Sequence, residues 1–309
     1  MAPASRRAWN GRTAFQLQLL APALVLLLAF ELYPIVVGVL YSLQRFTIYN
    51  PSHAFVGLRN FAAIVTDFHF YGVVIPNTIG FMAVSVGLEL TLGLGLAHLL
   101  SRPALRGRVG VVARTVILLP LMIPAVITGL MFAWMFNDQF GAVNHLVQAA
   151  GGPYISWFTN RWRAFAVIIL AEVWMNTPYF MILLYAALRA LPPEPHEAGR
   201  IDGANAWQLF RHITVPLLFP VMVVTVIIRL FDAFRAFDIV WTITNGAPGG
   251  STEVFSIYAY RLAFTDLQYD MGSAAAMAGA FVSLLVGVLF YRVFLRLSTY
   301  RVGPIPVKA

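Results

Sequence analysis

Apolar residues along the chain gather into six long runs, near Leu17–Tyr41, Val73–Leu100, Val111–Phe136, Phe165–Leu188, Ile213–Phe237 and Met271–Leu295. A helix needs about 20 apolar residues to cross a bilayer core, and every run reaches that length. The pattern predicts an all-α integral membrane protein with six transmembrane helices. Arg6, Arg7 and Arg12 precede the first run as in a secretory signal. That run exceeds a signal's roughly 7–15 apolar residues and has no clear small-x-small exit, so it reads as an uncleaved anchor. The expected division is a cytoplasmic segment 1–16, a first helix with its outer loop 17–72, a transmembrane core 73–296 and a cytoplasmic tail 297–309.

Composition supports this picture. Of 309 residues, 60% are hydrophobic and 11% charged, against roughly 25% charged in soluble domains. The net charge of +8 comes from basic residues scattered between apolar runs, which suits loops that orient a membrane protein and not a nucleic-acid surface. With the N-terminus inside, fourteen basic residues fall on the inner side (Arg6, Arg7, Arg12, Arg102, Arg106, Arg108, Arg114, Arg189, Arg200, Arg211, Arg292, Arg296, Arg301, Lys308) and five outside (Arg45, Arg59, Arg161, Arg163, Arg261). Both termini are therefore expected in the cytoplasm. Trp157, Trp162 and Trp241 in the outer loops suit an interfacial aromatic belt. In the last run Gly272-Ala276-Ala280 and Gly279-Ser283-Gly287 form small-residue stripes that let helices approach.

The chain has no cysteine, which excludes disulfides, thiolate catalysis and Cys-ligated metals. Its one lysine, Lys308, lies in no Gly-Lys-Ser/Thr phosphate loop. Any ATP that drives this protein binds another polypeptide. His-Glu-x-x-His and Gly-x-Ser-x-Gly are also absent, so an intramembrane protease or hydrolase is not indicated.

The segment from Leu191 to Pro220, LPPEPHEAGRIDGANAWQLFRHITVPLLFP, is too polar to span. Pro195 suits a first helical turn, Glu194 and Glu197 suit a helix N-terminus, and Gly203 breaks the helix. A second helix is expected through Trp207 and Phe210 to Pro216. The residues alone describe either an elbow that docks a soluble partner or a surface linker between two spans.

Glu197-Ala198-Gly199, Gly203, Ile213 and Pro216 stand at the spacing of the EAA loop of binding-protein-dependent ABC importer permeases. Asp202-Gly203-Ala204 and Phe210 resemble its fuller form; Gly199 replaces the second alanine and Val215 the leucine. Tyr33-Pro34, Leu119-Pro120, Trp174 with Pro178, Phe237-Asp238, Thr244-Asn245-Gly246-Ala247-Pro248 and Ala263-Phe264 resemble the sugar branch of that family, over roughly residues 15–296. The chain is similar to the first permease subunit of maltose, trehalose and glycerol-3-phosphate importers. The resemblance implies a type I ABC importer permease fold in a bacterial-type plasma membrane. It implies four partner chains: a second homologous permease, two ATP-binding subunits carrying ATP and magnesium, and an extracytoplasmic sugar-binding protein. Glu197, Ala198, Gly199, Asp202, Gly203, Ala204 and Phe210 would couple to the ATPase. Ligand-facing positions would map onto Glu172, Met175, Asn176, Tyr179, Arg229, Asp232 and Ala233, and onto apolar Leu121 and Ala125.

Glu31, Glu89, His98, Glu172, Arg229, Asp232 and Arg235 fall inside the runs. A charge at a helix centre costs about 2.5–3.5 kcal/mol on insertion scales, so such groups face a bundle interior or a wet cavity. Asp232 is three residues from both Arg229 and Arg235, so the three are expected to neutralise one another on one face. Glu31, Glu89 and His98 read as structural, with His98 snorkelling at the inner end. Asn77 beside Pro76 is expected to satisfy backbone groups at a helix start. Glu172, Asn176, Tyr179, Arg229 and Asp232 describe a sugar-lining wall or a structural polar network. A secondary transporter using buried carboxylates is the alternative function, although no paired interrupted helices in matching halves are visible.

Overall fold

The computed structural model describes residues 5–47, 50–102, 105 and 107–299. Arg106, Arg301, Lys308 and most of the expected tail 297–309 lie outside them. Among the described residues five helices are long and apolar enough to cross a membrane: Ala14–Ser42, Phe70–Ser101, Arg161–Arg189, Ala206–Phe234 and Tyr269–Val288. Counted as one span, the bent helix pair Arg108–Met122 and Ala125–Met135, turned by 94°, makes a sixth. In chain order these are the first to sixth spans, the broken one third.

The break corrects the expectation of a continuous third helix. Pro124 disfavours helical backbone at the preceding residue, and Ile123 is accordingly extended at φ −86°, ψ 130°. Prolines shape the other spans differently. Leu28–Leu32, Phe70–Val74 and Phe210–Thr214 are π turns, and each ends two residues before a proline: Pro34, Pro76 and Pro216. A proline ring clashes with the carbonyl four residues back. Widening the turn relieves the clash, because the residue before each proline donates five residues back: Tyr33 to Leu28, Ile75 to Phe70 and Val215 to Phe210.

The chain forms two compact units, residues 1–65 with 259–279, and residues 66–258 with 280–309. In the first unit, strands β1 (Gln44–Thr47) and β2 (Asn50–Phe55) pair antiparallel. Asn60, on the helix Arg59–Thr66, donates to the Ser42 and Gln44 carbonyls at 2.9 Å each and so ties that helix to the hairpin. Buried Asp270 accepts from the Phe46 amide at 3.1 Å. In the first span Phe15, Leu19, Phe30, Tyr33, Ile35 and Leu40 are among the large apolar side chains left exposed, as on a helix bathed in lipid or covered by another subunit.

The second unit holds the polar chemistry. Its core is Phe81, Ile168, Phe180, Leu184 and Ile239, all essentially inaccessible. The second and fourth spans pack tightly at Gly93, where a Cβ would overlap that of Phe180 and come within 3.1 Å of the Met181 amide. Only glycine lets the backbones approach so far. Arg161, starting the fourth span, donates to Asn77 near the start of the second at 2.8 Å. Glu89 and Glu172, twelve and eleven residues further along their helices, meet one guanidinium, that of Arg229. At about 1.5 Å per residue these two levels match only if the second and fourth spans run parallel. The fifth runs opposite, because its early residue Phe210 meets His98 late in the second span, while its late residue Arg229 meets Glu89.

Asn77 does not serve its own helix start, as expected from Pro76. Its amide reaches across the fold and donates to the carbonyls of Ser251 (2.9 Å) and Glu253 (2.8 Å). The polar loop 244–254 is further closed by Thr244–Thr252 at 2.9 Å and by His69 with Glu253 at 2.6 Å.

Candidate functional site

The loop after the fourth span folds as a rigid elbow. Its first arm, Glu194–Ile201, begins with a proline in the first turn and with Glu194 and Glu197 against the positive end of the helix dipole. It ends in a Schellman closure: Gly203 takes φ +80°, its amide donates to Arg200 at 3.1 Å, and the Ala204 amide donates to Gly199 at 2.9 Å. Asn205 immediately caps the second arm, accepting from the Gln208 amide at 2.9 Å while Gln208 Oε1 accepts from the Asn205 amide at 2.8 Å. Stop and start signals thus abut, leaving no slack residue between the arms. Gly199, the departure from the expected alanine, lies where they touch: a Cβ there would come within 2.7 Å of Ile213 Cδ1 and 2.8 Å of Leu209 Cδ2. His196 Nε2 and Thr214 Oγ1, 3.0 Å apart, form a second weld.

The second arm does not finish at Pro216. It continues as the fifth span, so Ala206–Phe234 is one helix. Glu197, Ala198, Asp202 and Gly203 are exposed, Gly199, Ala204 and Phe210 half-buried. Ile201 and Trp207 are 86% and 64% exposed at the elbow. A cavity of about 300 Å³ lies beside the joint, lined by Asp202, Gly203, Ala204, Gln208, His212 and Ile213.

Deep in the same unit, one arginine joins three spans. Arg229 Nε lies 2.9 Å from Glu89 Oε2, and Nη2 donates to Glu89 Oε1 at 3.1 Å and to Glu172 Oε1. The three residues are at most 5% exposed. Arg229 is therefore not neutralised by Asp232 on its own helix. Asp232 is exposed, and Arg235 places its guanidinium 5.7 Å from the Phe231 ring centre. Glu89 shares the structural role read from its position, but its partners belong to other helices. The signal for them was the presence of unpaired ionisable groups in three apolar runs; which run meets which is a tertiary fact.

Of the residues expected in a sugar-lining wall or a structural polar network, Glu172 and Arg229 bond each other, Arg229 also bonds Glu89, and Ala233 is buried in the core. Met175, Asn176 and Tyr179 stay half-buried, Asp232 is exposed, and Leu121 is 41% exposed at the break in the third span. Asn176 returns its amide to the Glu172 carbonyl at 3.1 Å, leaving its side-chain oxygen outside that bond. Ala125, expected beside them, packs half-buried against the core. Among the described residues no three His, Asp or Glu side chains gather to hold a metal ion.

Residues 103–302 match the family described as binding-protein-dependent transport system inner membrane component. The chain belongs to that family. It is 35% identical over 286 residues to a trehalose/maltose transport system permease protein of Thermococcus litoralis, covering 92% of this chain and 93% of that one. It is 32% identical over 284 residues to a trehalose transport system permease protein of Mycobacterium tuberculosis, covering 92% and 89%. In fold it is similar to a chain of a bacterial ABC transporter involved in import of the acidic polysaccharide alginate, with a TM-score of 0.81 at 22% identity over 94% of this chain and 99% of that one. The chain is the non-enzymatic membrane component of an ABC importer, and the elbow lies within the matched residues.

Deleting Arg229 strands two buried carboxylates, a change that costs about 3–5 kcal/mol. Arg229→Met is expected to lower the thermal unfolding midpoint of the detergent-purified protein sharply. Glu89→Gln leaves the Arg229–Glu172 pair intact, and its loss should be nearer 1–3 kcal/mol. Equal midpoints for both variants and the parent would show that the triad holds nothing together.

Proposed function

We propose that this permease subunit carries a sugar, contributing half of a translocation pathway that opens alternately to each side, and that its elbow is the surface gripped by a separate ATP-binding subunit. The observation that carries the reading is the welded elbow. It presents Glu197, Ile201 and Trp207 to solvent and runs on through the π turn Phe210–Thr214 into the fifth span. Exposed apolar anchors at one end and Arg229 far along the other join the elbow to the bundle. Closure of two ATP-loaded subunits would displace the elbow and the fifth span. Arg229 would then carry the second and fourth spans with it, since separating the triad exposes charges to an apolar core. ATP and magnesium belong to those partners, because this chain has no phosphate-binding loop.

The remaining assembly is a second homologous permease, opposite the wall of Asn176, Tyr179, Asp232 and Leu121, and an extracytoplasmic binding protein that delivers the sugar. The relatives named for trehalose and maltose support a sugar cargo. The opposed direction of the fifth span to the second and fourth, and the basic residues of the inner loops, support a plasma-membrane orientation with both termini and the elbow in the cytoplasm. Ion coupling through buried carboxylates has no support here, as Glu89 and Glu172 both face Arg229.

Glu197→Lys reverses the charge at the exposed first turn. The variant should insert normally yet lose at least tenfold in retained ATP-binding subunit on co-purification; full retention with normal cargo-stimulated hydrolysis would sink the docking role. Because the chain lacks cysteine, single cysteines report orientation cleanly. Cysteines at His145 and Gly250 should react with an impermeant maleimide added outside, and one at Arg200 should not. The reversed pattern would invert the proposed topology. Asn176→Ala and Tyr179→Ala should each slow uptake of labelled trehalose or maltose several-fold in assembled complexes. Unchanged rates for a sugar that the parent complex imports would move the pathway to the partner permease.

A further inference from the structure

Two routes lead from the elbow into the membrane core, and only one is covalent. The covalent route follows the fifth span, which is weakened as a rod: Phe210–Thr214 is a π turn, and Pro216 and Pro220 remove backbone donors between the elbow and Arg229. Bends in helices concentrate at such features. The other route is a run of rings. Exposed Trp207 stacks on Phe210 with centroids 5.7 Å apart and an interplanar angle of 28°. Phe210 in turn meets His98 edge to face, 5.0 Å away at 63°.

His98 is half-buried, and its Nδ1 is buried without a hydrogen-bond partner among the described residues, so what the structure shows on that side of the ring is packing against Phe210. Its neighbours Ala97 and Leu100 are buried, which fixes this end of the second span in the bundle. From His98 back to Glu89 the helix holds no proline and no widened turn. A displacement delivered at His98 reaches the triad through an unbroken helix.

We propose that His98 is a positioning residue for transport, passing the movement of the elbow through the Trp207–Phe210 rings to the second span and so to Glu89. The proposal rests on the docking role of the elbow. It adds that the second span is driven directly by ring contact and does not merely follow the fifth through Arg229.

The test uses the cysteine-free chain assembled with its ATP-binding subunits, with nitroxides at Leu92→Cys on the second span and, separately, Ala206→Cys on the elbow. Trapping with ATP and vanadate should change the spectrum at both sites in the parent. With His98→Ala the Ala206 site should respond as before, while the change at Leu92 falls at least threefold; His98→Phe, which restores a flat ring, should bring it back. Should His98→Ala fail to assemble, His98→Leu keeps the bulk without the ring and is expected to give the same loss at Leu92. A Leu92 response that is undiminished without the ring, or absent in the parent while Ala206 responds, overturns the proposal. A silent Ala206 site in the parent would instead overturn the docking role, and this proposal with it.

Discussion

One guanidinium, surrounded by apolar helices and shared between two carboxylates from two other spans, sets the terms for the rest of this fold. Each of Arg229, Glu89 and Glu172 alone would be costly inside a bilayer core. Together they are tolerable only when the second, fourth and fifth spans are assembled in one register. Buried ion pairs add little net stability compared with apolar packing, but losing one member is heavily penalised. The triad therefore acts less as glue than as a condition: these three helices move together or not at all. Its counterpart at another level, Asn77 with Arg161 and the carbonyls of loop 244–254, holds the same parallel pair.

Against this block the proline-marked turns distribute compliance. A π turn or a broken span lets a helix bend without losing a buried backbone donor, because the widened turn has already reassigned the hydrogen bonds around the proline. Such turns open the second span and interrupt the fifth beside the elbow, while the third span is broken outright at Pro124. The stretch from Asn77 to Ser101 and the elbow joint have none. Stiff parts are thus the triad-bearing rods and the welded elbow, and the soft parts lie between them, an arrangement suited to moving domains without dissolving their packing.

Much of this was legible in the chain itself. Six apolar runs, the charge bias between loops, the lack of cysteine and of a phosphate loop, and the elbow's Glu-Ala-Gly, Gly203 and Pro216 spacing follow from local rules of length, dipole and turn chemistry. Those rules also place both ends of the first elbow arm, since a proline start and a glycine stop act over only a few residues. The interruption of the third run is signalled by Pro120 and Pro124, inside a stretch whose apolar length alone suits a continuous helix.

What the sequence by itself determined, then, is which segments are long and apolar enough to span, where the elbow turns and that the chain carries no phosphate-binding loop. These are properties of residues within one helical turn or one bilayer thickness of each other. The tertiary structure alone decided who partners whom. Asp232 has the right spacing to pair with Arg229, yet the guanidinium turns to Glu89 and Glu172, 140 and 57 residues away in the chain. Asn77 sits beside a helix start but serves carbonyls 174 and 176 residues distant. Spacing along a helix says which side chains can share a face; it does not say which neighbouring helix will cover that face. In a medium without water the covering helix supplies the partner, and that choice is made only when the spans pack.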